Sequence, residues 1–222
     1  MDQRLGFWRN GFWVSAWIVA LVLAGESPAD YGRGLALKAG VQTLTSPLTG
    51  EDTSRTRLEL EISTARLLDG YVDVALAIGG SSLGALRESQ TSEDEGLIID
   101  EYSEDRLRVW DVRVSGRFYP LGEGSHTLTP YMGGGLGYYQ FVDVWEDDVY
   151  AYDPISGIGA GEYQEGTETV ADGFFPFLMA GLNVSVSDRV ELFGEVAYDF
   201  EKDDEGYDLG GPIYLLGCRI RF

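Results

Sequence analysis

The sequence IYLLGCRIRF (Ile213–Phe222) closes the chain and decides its fold. Counted back from Phe222 in steps of two, every residue is apolar or aromatic, whereas the positions between them include two arginines and a glycine. Successive side chains of a β-strand point to opposite faces, so this alternation predicts a strand with two differently solvated faces. The apolar positions are Tyr214, Leu216, Cys218, Ile220 and Phe222.

Seven further segments upstream show the same alternation. Each is close to the roughly 9–11 residues with which a tilted strand crosses a bilayer. After the N-terminal region, no segment shows a sustained helical period. The seven segments are Gly34–Leu44, Arg57–Ala65, Tyr71–Gly79, Arg108–Phe118, Thr129–Phe141, Phe174–Val186 and Val190–Phe200.

The connections between these segments alternate in length. Gly80–Arg106 and Val142–Gly173 are long, whereas Leu67–Gly70 and Ser187–Arg189 are short. Transmembrane barrels have short turns on the periplasmic side and longer loops on the extracellular side. An even number of strands also closes the sheet and leaves no free edge. The sequence therefore predicts an all-β fold, an eight-stranded antiparallel up-and-down transmembrane β-barrel.

Residues 1–29 are predicted to be a signal peptide. Arg4 and Arg9 precede an apolar run of about 15 residues, which is too short for a spanning helix of roughly 20 but typical of a signal-peptide core. Small residues place the cleavage site near residue 24 or residue 29, and an uncleaved membrane anchor is the alternative. The barrel then occupies residues 30–222 as a single domain.

Composition narrows the functional classes. Hydrophobic residues make up 44% of the chain and the mean hydropathy is −0.10, which is too polar for a helical membrane protein. The chain has one cysteine and one histidine, so neither an internal disulfide nor a zinc site built from these ligands is expected. The histidine, His126, follows Ser125 with no acid placed to orient it, so we predict that the protein is not an enzyme and has no cofactor.

The stretch GRFYPLGEGSHTLTPYMGGGLGYYQF (Gly116–Phe141) resembles the fourth and fifth strands of the OmpA/OmpW-type outer-membrane β-barrel superfamily. The resemblance implies an eight-stranded barrel in the bacterial outer membrane. It also implies that the apolar face of the last strand is the signal read by the barrel-assembly machinery. It implies no single activity, because members range from structural proteins to adhesins and conduits for small hydrophobic molecules. The match is carried by Pro130, Tyr131, Gly133, Gly135, Gly137 and Phe222.

The glycine run Gly133–Gly137 is not predicted to bind phosphate. No helix follows it to supply an N-terminus for an anion. Glycine inside a strand more often marks tight curvature or close approach of a neighbour, and we predict curvature here.

Twelve charged residues occupy inward-facing positions, six positive and six negative. An eight-stranded barrel is only wide enough inside for side chains to fill it, so these charges must pair. We predict a side-chain-filled interior, and a gated ion path is the alternative. The residues are Lys38, Arg57, Glu59, Glu61, Asp73, Asp111, Arg113, Arg117, Glu191, Glu195, Arg219 and Arg221.

A second inward set is apolar and lies toward the extracellular half. It is a candidate hydrophobic pocket in the mouth of the barrel, and a packed core that seals the mouth is the alternative. The residues are Tyr139, Phe141, Phe175, Phe177, Met179, Ile213 and Leu215.

The net charge of −21 is carried by the long connections, which are predicted to be solvated, mobile loops. The acidic side chains of these loops disfavour the binding of nucleic acid. They are candidate ligands of divalent cations that bridge lipopolysaccharide, although the residue spacing of a calcium-binding loop is absent. We therefore predict a monomeric outer-membrane protein, in contact with lipid and lipopolysaccharide, with a structural or surface-interaction role. The alternative is a narrow pore or a conduit for small hydrophobic molecules.

Overall fold

The structure is a computed structural model that describes residues 33–45, 52–94, 97–122, 127–200 and 210–222. The predicted signal peptide and His126 lie outside the described residues. None of the described residues forms a helix that is long and apolar enough to cross a membrane.

Eight antiparallel strands form one closed sheet, in which each strand pairs with its neighbour in sequence and the last pairs with the first. This confirms the predicted up-and-down barrel. The bounds of the first, seventh and eighth strands lie within two residues of the predicted ones. The strands are β1 (Gly34–Thr45), β2 (Asp52–Ser63), β3 (Val72–Asp94), β4 (Leu97–Phe118), β5 (Leu128–Tyr152), β6 (Gly159–Ser185), β7 (Val190–Asp199) and β8 (Gly211–Arg221).

The four central strands are much longer than predicted. They contain 23, 22, 25 and 27 residues, in the order β3 to β6. The surplus over a bilayer crossing is about 12 to 17 residues, or roughly 40–55 Å along each strand. The prediction of loops was therefore wrong for most of Gly80–Arg106 and Val142–Gly173, where the ladder continues as paired strands up to Asp94 and Tyr152 and again from Leu97 and Gly159.

We call the paired region beyond the barrel the extension; it comprises residues 82–94, 97–108, 142–152 and 159–169. Its two outer strands leave the barrel at register shifts, one between Ser82 and Gly84 and one beside Phe141. Such bulges bend a strand and increase its local twist. Since β2 stops pairing with β3 at Ser81 and β7 stops pairing with β6 at Phe177, the extension is a four-stranded sheet that rises from one side of the rim.

The outer face of the barrel is a belt of exposed aliphatic side chains, such as Leu37, Leu60, Leu136 and Leu216. Aromatic side chains border this belt at both ends, as expected for a barrel that sits in a bilayer. At the end with the short turns they are Tyr71, Phe118 and Phe222, and at the end with the extension they are Trp110, Tyr138, Phe174, Tyr198, Phe200 and Tyr214.

Candidate functional site

The structure buries all twelve of the charged residues that the alternation assigns to the interior. Inside the barrel, two further buried charges were not identified from the sequence, Arg66 and Asp199. With them the buried charges of the interior, counted over the described residues, are seven positive (six and Arg66) and seven negative (six and Asp199), so these formal charges still balance.

One cluster of these charges lies nearer the extension. Arg57 donates to both carboxylate oxygens of Asp111, at 2.6 and 2.7 Å, and also contacts Glu59 at 3.1 Å. The Nε–H of Arg113 donates to Asp111 at 2.8 Å, and its two terminal nitrogens donate to Asp199 at 2.9 and 2.8 Å. Two-point contacts of this kind fix the guanidinium plane as well as its charge.

Lys38 joins this cluster to the rest of the interior. Its ammonium nitrogen lies 2.7 Å from Glu59 and 2.7 Å from Glu61. It also donates to Glu195 at 3.0 Å. Because Glu59 contacts Arg57 as well, the charges form one connected network.

A second cluster fills the half nearer the short turns. Arg117 donates to both oxygens of Asp73, at 2.7 and 3.0 Å, and to Glu61 at 2.6 Å. Arg219 donates to Glu61 at 3.0 Å and to Glu191 at 3.3 Å. Glu61 thus forms ion pairs with side chains from three strands, and these contacts connect opposite walls of the barrel.

Arg66 closes the network at the turn end. Its guanidinium lies 3.9 Å from the centre of the Tyr119 ring and 3.8 Å from Glu191, which also accepts from Arg221 at 2.6 Å. Arg66 belongs to the turn after β2, so strand alternation gave no signal for it. Asp199 is different: it shares the inward face of β7 with Glu191, and the same alternation could have found it.

Two tyrosines complete the carboxylate contacts. Tyr119 donates its hydroxyl to Asp73 at 2.8 Å, and Tyr131 donates to Glu195 at 2.7 Å. Both are buried and neither was identified from the sequence as part of the network.

The seven residues of the candidate apolar pocket are all buried and belong to one cluster. Ring centres are 5.6 Å apart for Tyr139 and Phe141, 6.1 Å for Tyr139 and Phe175, and 6.2 Å for Phe175 and Phe177. The Arg113 guanidinium lies 5.0 and 5.3 Å from the rings of Phe175 and Phe177. This ring-on-ring packing favours the interpretation of a sealed core over that of an open pocket.

Inward-facing glycines make room for these rings. A Cβ on Gly137 would lie 2.2 Å from the ring of Phe175, its direct cross-strand partner. A Cβ on Gly181 would likewise lie 2.4 Å from the ring of Tyr131, its direct cross-strand partner. The glycine run also reflects close backbone approach, since a Cβ on Gly135 would lie 1.8 Å from the Val114 carbonyl oxygen. These glycines thus have a second role beside the predicted curvature, because they make room for large neighbouring side chains.

The outer face of the extension holds a small ion-pair cluster around Glu104. This carboxylate accepts from Arg106 at 2.7 Å, from Tyr102 at 2.7 Å and from Arg87 at 3.2 Å. These hydrogen bonds, the one from Arg106 above all, lower the pKa of Glu104 from 4.5 to about 2. Arg106 also lies 3.4 Å from Glu146 on β5, so the cluster links three strands.

The inner face of the extension instead carries carboxylates that form no ion pair with any of the described residues. Glu88, Glu101, Asp147 and Glu162 line an open groove of about 390 Å³. Among the described residues no three acidic, histidine or cysteine side chains are arranged to hold a metal ion. Binding of divalent cations by these carboxylates stays a prediction.

The predicted assembly strand lies at the seam of the barrel. Its apolar positions face outward on β8, and the Phe222 amide donates to the Arg33 carbonyl at 3.0 Å beside β1. The role of these residues as an assembly signal stays a prediction.

Solved structures of outer-membrane proteins align with this chain. Neisserial surface protein A (NspA) aligns with a TM-score of 0.54 at 11% identity, over 89% of this chain and 100% of that chain. OprG from Pseudomonas aeruginosa aligns at 0.49, with 11% identity over 86% and 97% of the two chains. The attachment invasion locus protein Ail of Yersinia pestis, solved with the heparin analogue sucrose octasulfate, aligns at 0.45, with 11% identity over 86% and 99%.

No protein-family model matches the chain, and no curated protein matches its sequence. At 11% identity the likeness to NspA concerns the architecture and not the activity. Together, the closed ring of eight strands, the apolar belt and this likeness show that the chain has the fold of an eight-stranded outer-membrane β-barrel.

Proposed function

We propose that this protein resides in the bacterial outer membrane as a non-conducting barrel, and that its extension is a rigid acidic surface for partners outside the cell. The observation that carries the proposal is the contrast between the two parts. The interior is charge-balanced and packed, whereas the extension is ordered, exposed and strongly acidic.

The closed interior is supported by the pairing of its charges. Arg57, Arg117 and Arg219 are fully buried, and each contacts at least two carboxylates or a carboxylate at two points. Removing one partner of a buried pair costs about 3–5 kcal/mol, so opening a path through this network would be costly. The packed rings of Tyr139, Phe141, Phe175 and Phe177, which we call the aromatic layer, lie above the network and add a second, apolar barrier.

The interaction role is supported by the order of the extension. Continuous pairing from β3 to β6 fixes the carboxylates in rows instead of leaving them on mobile loops. Complementary charge speeds association and selects among partners, so the inner face fits a basic surface. Its carboxylates include Glu88, Glu101, Asp147 and Glu162.

A second candidate function, a narrow aqueous path, is favoured by one observation. Asn183 is fully buried, and neither atom of its side-chain amide has a hydrogen-bond partner among the described residues. The Gln42 amide nitrogen is also buried, and no described residue offers it a hydrogen-bond partner. Buried polar atoms of this kind are usually satisfied by water.

Single-channel recording in a planar bilayer distinguishes the two functions. Protein that migrates as a folded band before boiling should give no steady conductance, and an Arg117→Ala variant should show brief openings because it removes a central cation of the network. Steady conductance of the wild type would overturn the closed-barrel proposal and establish the aqueous path.

The extension is tested separately. A variant in which short turns replace residues 86–104 and 146–165 should insert normally, because the barrel pairing is retained. It should lose binding to beads coated with a basic protein, whereas beads coated with an acidic protein should bind neither form. Equal binding of trimmed and full-length protein to the basic beads would contradict the role of the extension.

A further inference from the structure

Trp110 marks the level at which β4 leaves the apolar belt. Along the outward face, β4 runs from Phe118 to Trp110 across the belt and then continues to Arg108. Trp110 lies 6.5 Å from Tyr138, which lies 5.1 Å from Phe174, so three strands contribute to the aromatic border at this height. Tryptophan and tyrosine in such borders sit at the level of the lipid headgroups.

A row of polar side chains lies beside Trp110 on the same face. Gln140 is the cross-strand partner of Trp110, and Asp172 is the partner of Gln140. Gln140 is only 5% exposed and donates to the Tyr138 hydroxyl at 3.2 Å, and Tyr138 in turn donates to Asp172. An aromatic ring, an amide and a carboxylate are therefore held side by side by a hydrogen-bonded array.

Arg108 lies one row further from the belt and is exposed. Its backbone is paired in the sheet, but the described residues provide its guanidinium with no ion pair and no hydrogen bond. Its neighbours Arg87 and Arg106 are different, because both pair with Glu104. Arg108 thus leaves a guanidinium available at headgroup height in a chain whose net charge is −21. The guanidinium fork matches the geometry of a phosphate.

We propose that Arg108, Trp110 and Asp172 bind the phosphorylated sugar headgroup of a glycolipid in the outer leaflet. Arg108 contacts the phosphate, and the Trp110 ring packs on a face of the sugar. Asp172 accepts hydrogen bonds from its hydroxyl groups, and the buried Gln140 is a positioning residue that holds Tyr138 beside Asp172. A phospholipid headgroup supplies the phosphate but lacks the ring of hydroxyls that the polar row fits.

The location selects a membrane lipid over a dissolved phosphate. The site faces away from the barrel axis, so a lipid reaches it by lateral diffusion in the leaflet. The site does not depend on whether the extension binds a partner or the barrel conducts.

The test measures lipid binding to protein purified from membranes and placed in phosphatidylethanolamine nanodiscs. Lipid A is titrated, and bound molecules are counted by native mass spectrometry. Arg108→Gln should weaken lipid A binding about tenfold, as expected for loss of a hydrogen-bonded charge contact. Arg189→Gln is the matched control, because Arg189 is also exposed but lies in the turn between β6 and β7 at the opposite end.

Further arms identify the ligand. Trp110→Leu keeps the outward face apolar and should weaken lipid A binding while leaving phosphatidylglycerol binding unchanged. Soluble glucosamine phosphate should bind far more weakly than lipid A. The proposal is overturned if Arg108→Gln and Arg189→Gln have equal effects, if phosphatidylglycerol binds as tightly as lipid A, or if the soluble sugar phosphate does.

Discussion

Arg113 is the residue at which the charge network meets the aromatic layer. It pairs with Asp111 and Asp199 and packs against the rings of Phe175 and Phe177. We expect Arg113→Leu to lower the free energy of unfolding by about 3–5 kcal/mol, because it leaves Asp199 buried without a cation. Urea unfolding of the refolded barrel, followed by gel migration without boiling, measures the change.

The matched control for this prediction is a double variant. Replacing both partners, in Arg113→Leu/Asp199→Leu, removes the unpaired charge, so part of the lost stability should return. An unchanged unfolding midpoint for the single variant would contradict the filled and paired interior.

Gly135 and Gly116 offer a comparison within one region of the barrel wall. A Cβ on Gly135 would lie 1.8 Å from the Val114 carbonyl oxygen, whereas a Cβ on Gly116 would meet nothing within 4 Å. We expect Gly135→Ala to destabilise the barrel by about 1–3 kcal/mol, as overpacking does, and Gly116→Ala to be nearly neutral. Equal unfolding midpoints for the two variants would show that the wall yields at Gly135.

At this scale the alternation of the sequence was sufficient wherever a residue lies inside a regular strand. It assigned twelve interior charges, and continued by four residues from Glu195 it would also have found Asp199. It could not find Arg66, whose side chain reaches the interior from a turn. The alternation also could not identify the partner of each charge, because pairing across the barrel depends on the stagger of the strands and not on local sequence.

At the scale of strands, the extension should behave as a folded sheet with two free edges. Hydrogen–deuterium exchange should be slow for the inner strands, residues 97–108 and 142–152, whose amides pair on both sides. It should be faster for residues 82–94 and 159–169, each of which pairs on one side only among the described residues. Uniformly rapid exchange over all four segments would restore the interpretation of mobile loops.

Glu104 should contribute to this protection. Its pKa of about 2 lies below the ordinary 4.5, so its stabilising effect is complete above about pH 4.5 and is lost as the pH falls through about 2. At pH 7, Glu104→Gln should therefore speed tryptic cleavage after Arg87 and Arg106. Glu101→Gln, an exposed carboxylate on the opposite face, should leave the cleavage rate unchanged and serves as the control.

The length of the central strands was the element-level feature that the sequence obscured. Acidic residues, glycine and serine lower strand propensity, and they are dense between residues 80 and 106, where the apolar alternation stops. Isoleucine, threonine and tyrosine between them, together with continuous pairing from the barrel, are sufficient for strands to form. Long-range pairing thus determines the length of these strands, for which the local composition is ambiguous.

At the scale of the whole molecule, closure depends on the last strand. Phe222 is 69% exposed on the outward face, and its amide bonds to the chain just before β1. Phe222→Ser should leave the interior unchanged but reduce the amount of folded barrel in the outer-membrane fraction. Normal levels of the heat-modifiable band for this variant would count against an assembly signal, and Leu121→Ser, at an exposed site in a turn, is the control.

The extension has one more consequence, for how copies share a membrane. It arises from four consecutive strands, so the described part of the molecule is taller on one side and lacks rotational symmetry about the membrane normal. Neighbours whose extensions meet bring two acidic sheets within a Debye length of each other, which opposes their approach. Crowding should therefore turn the extensions of neighbouring copies away from one another.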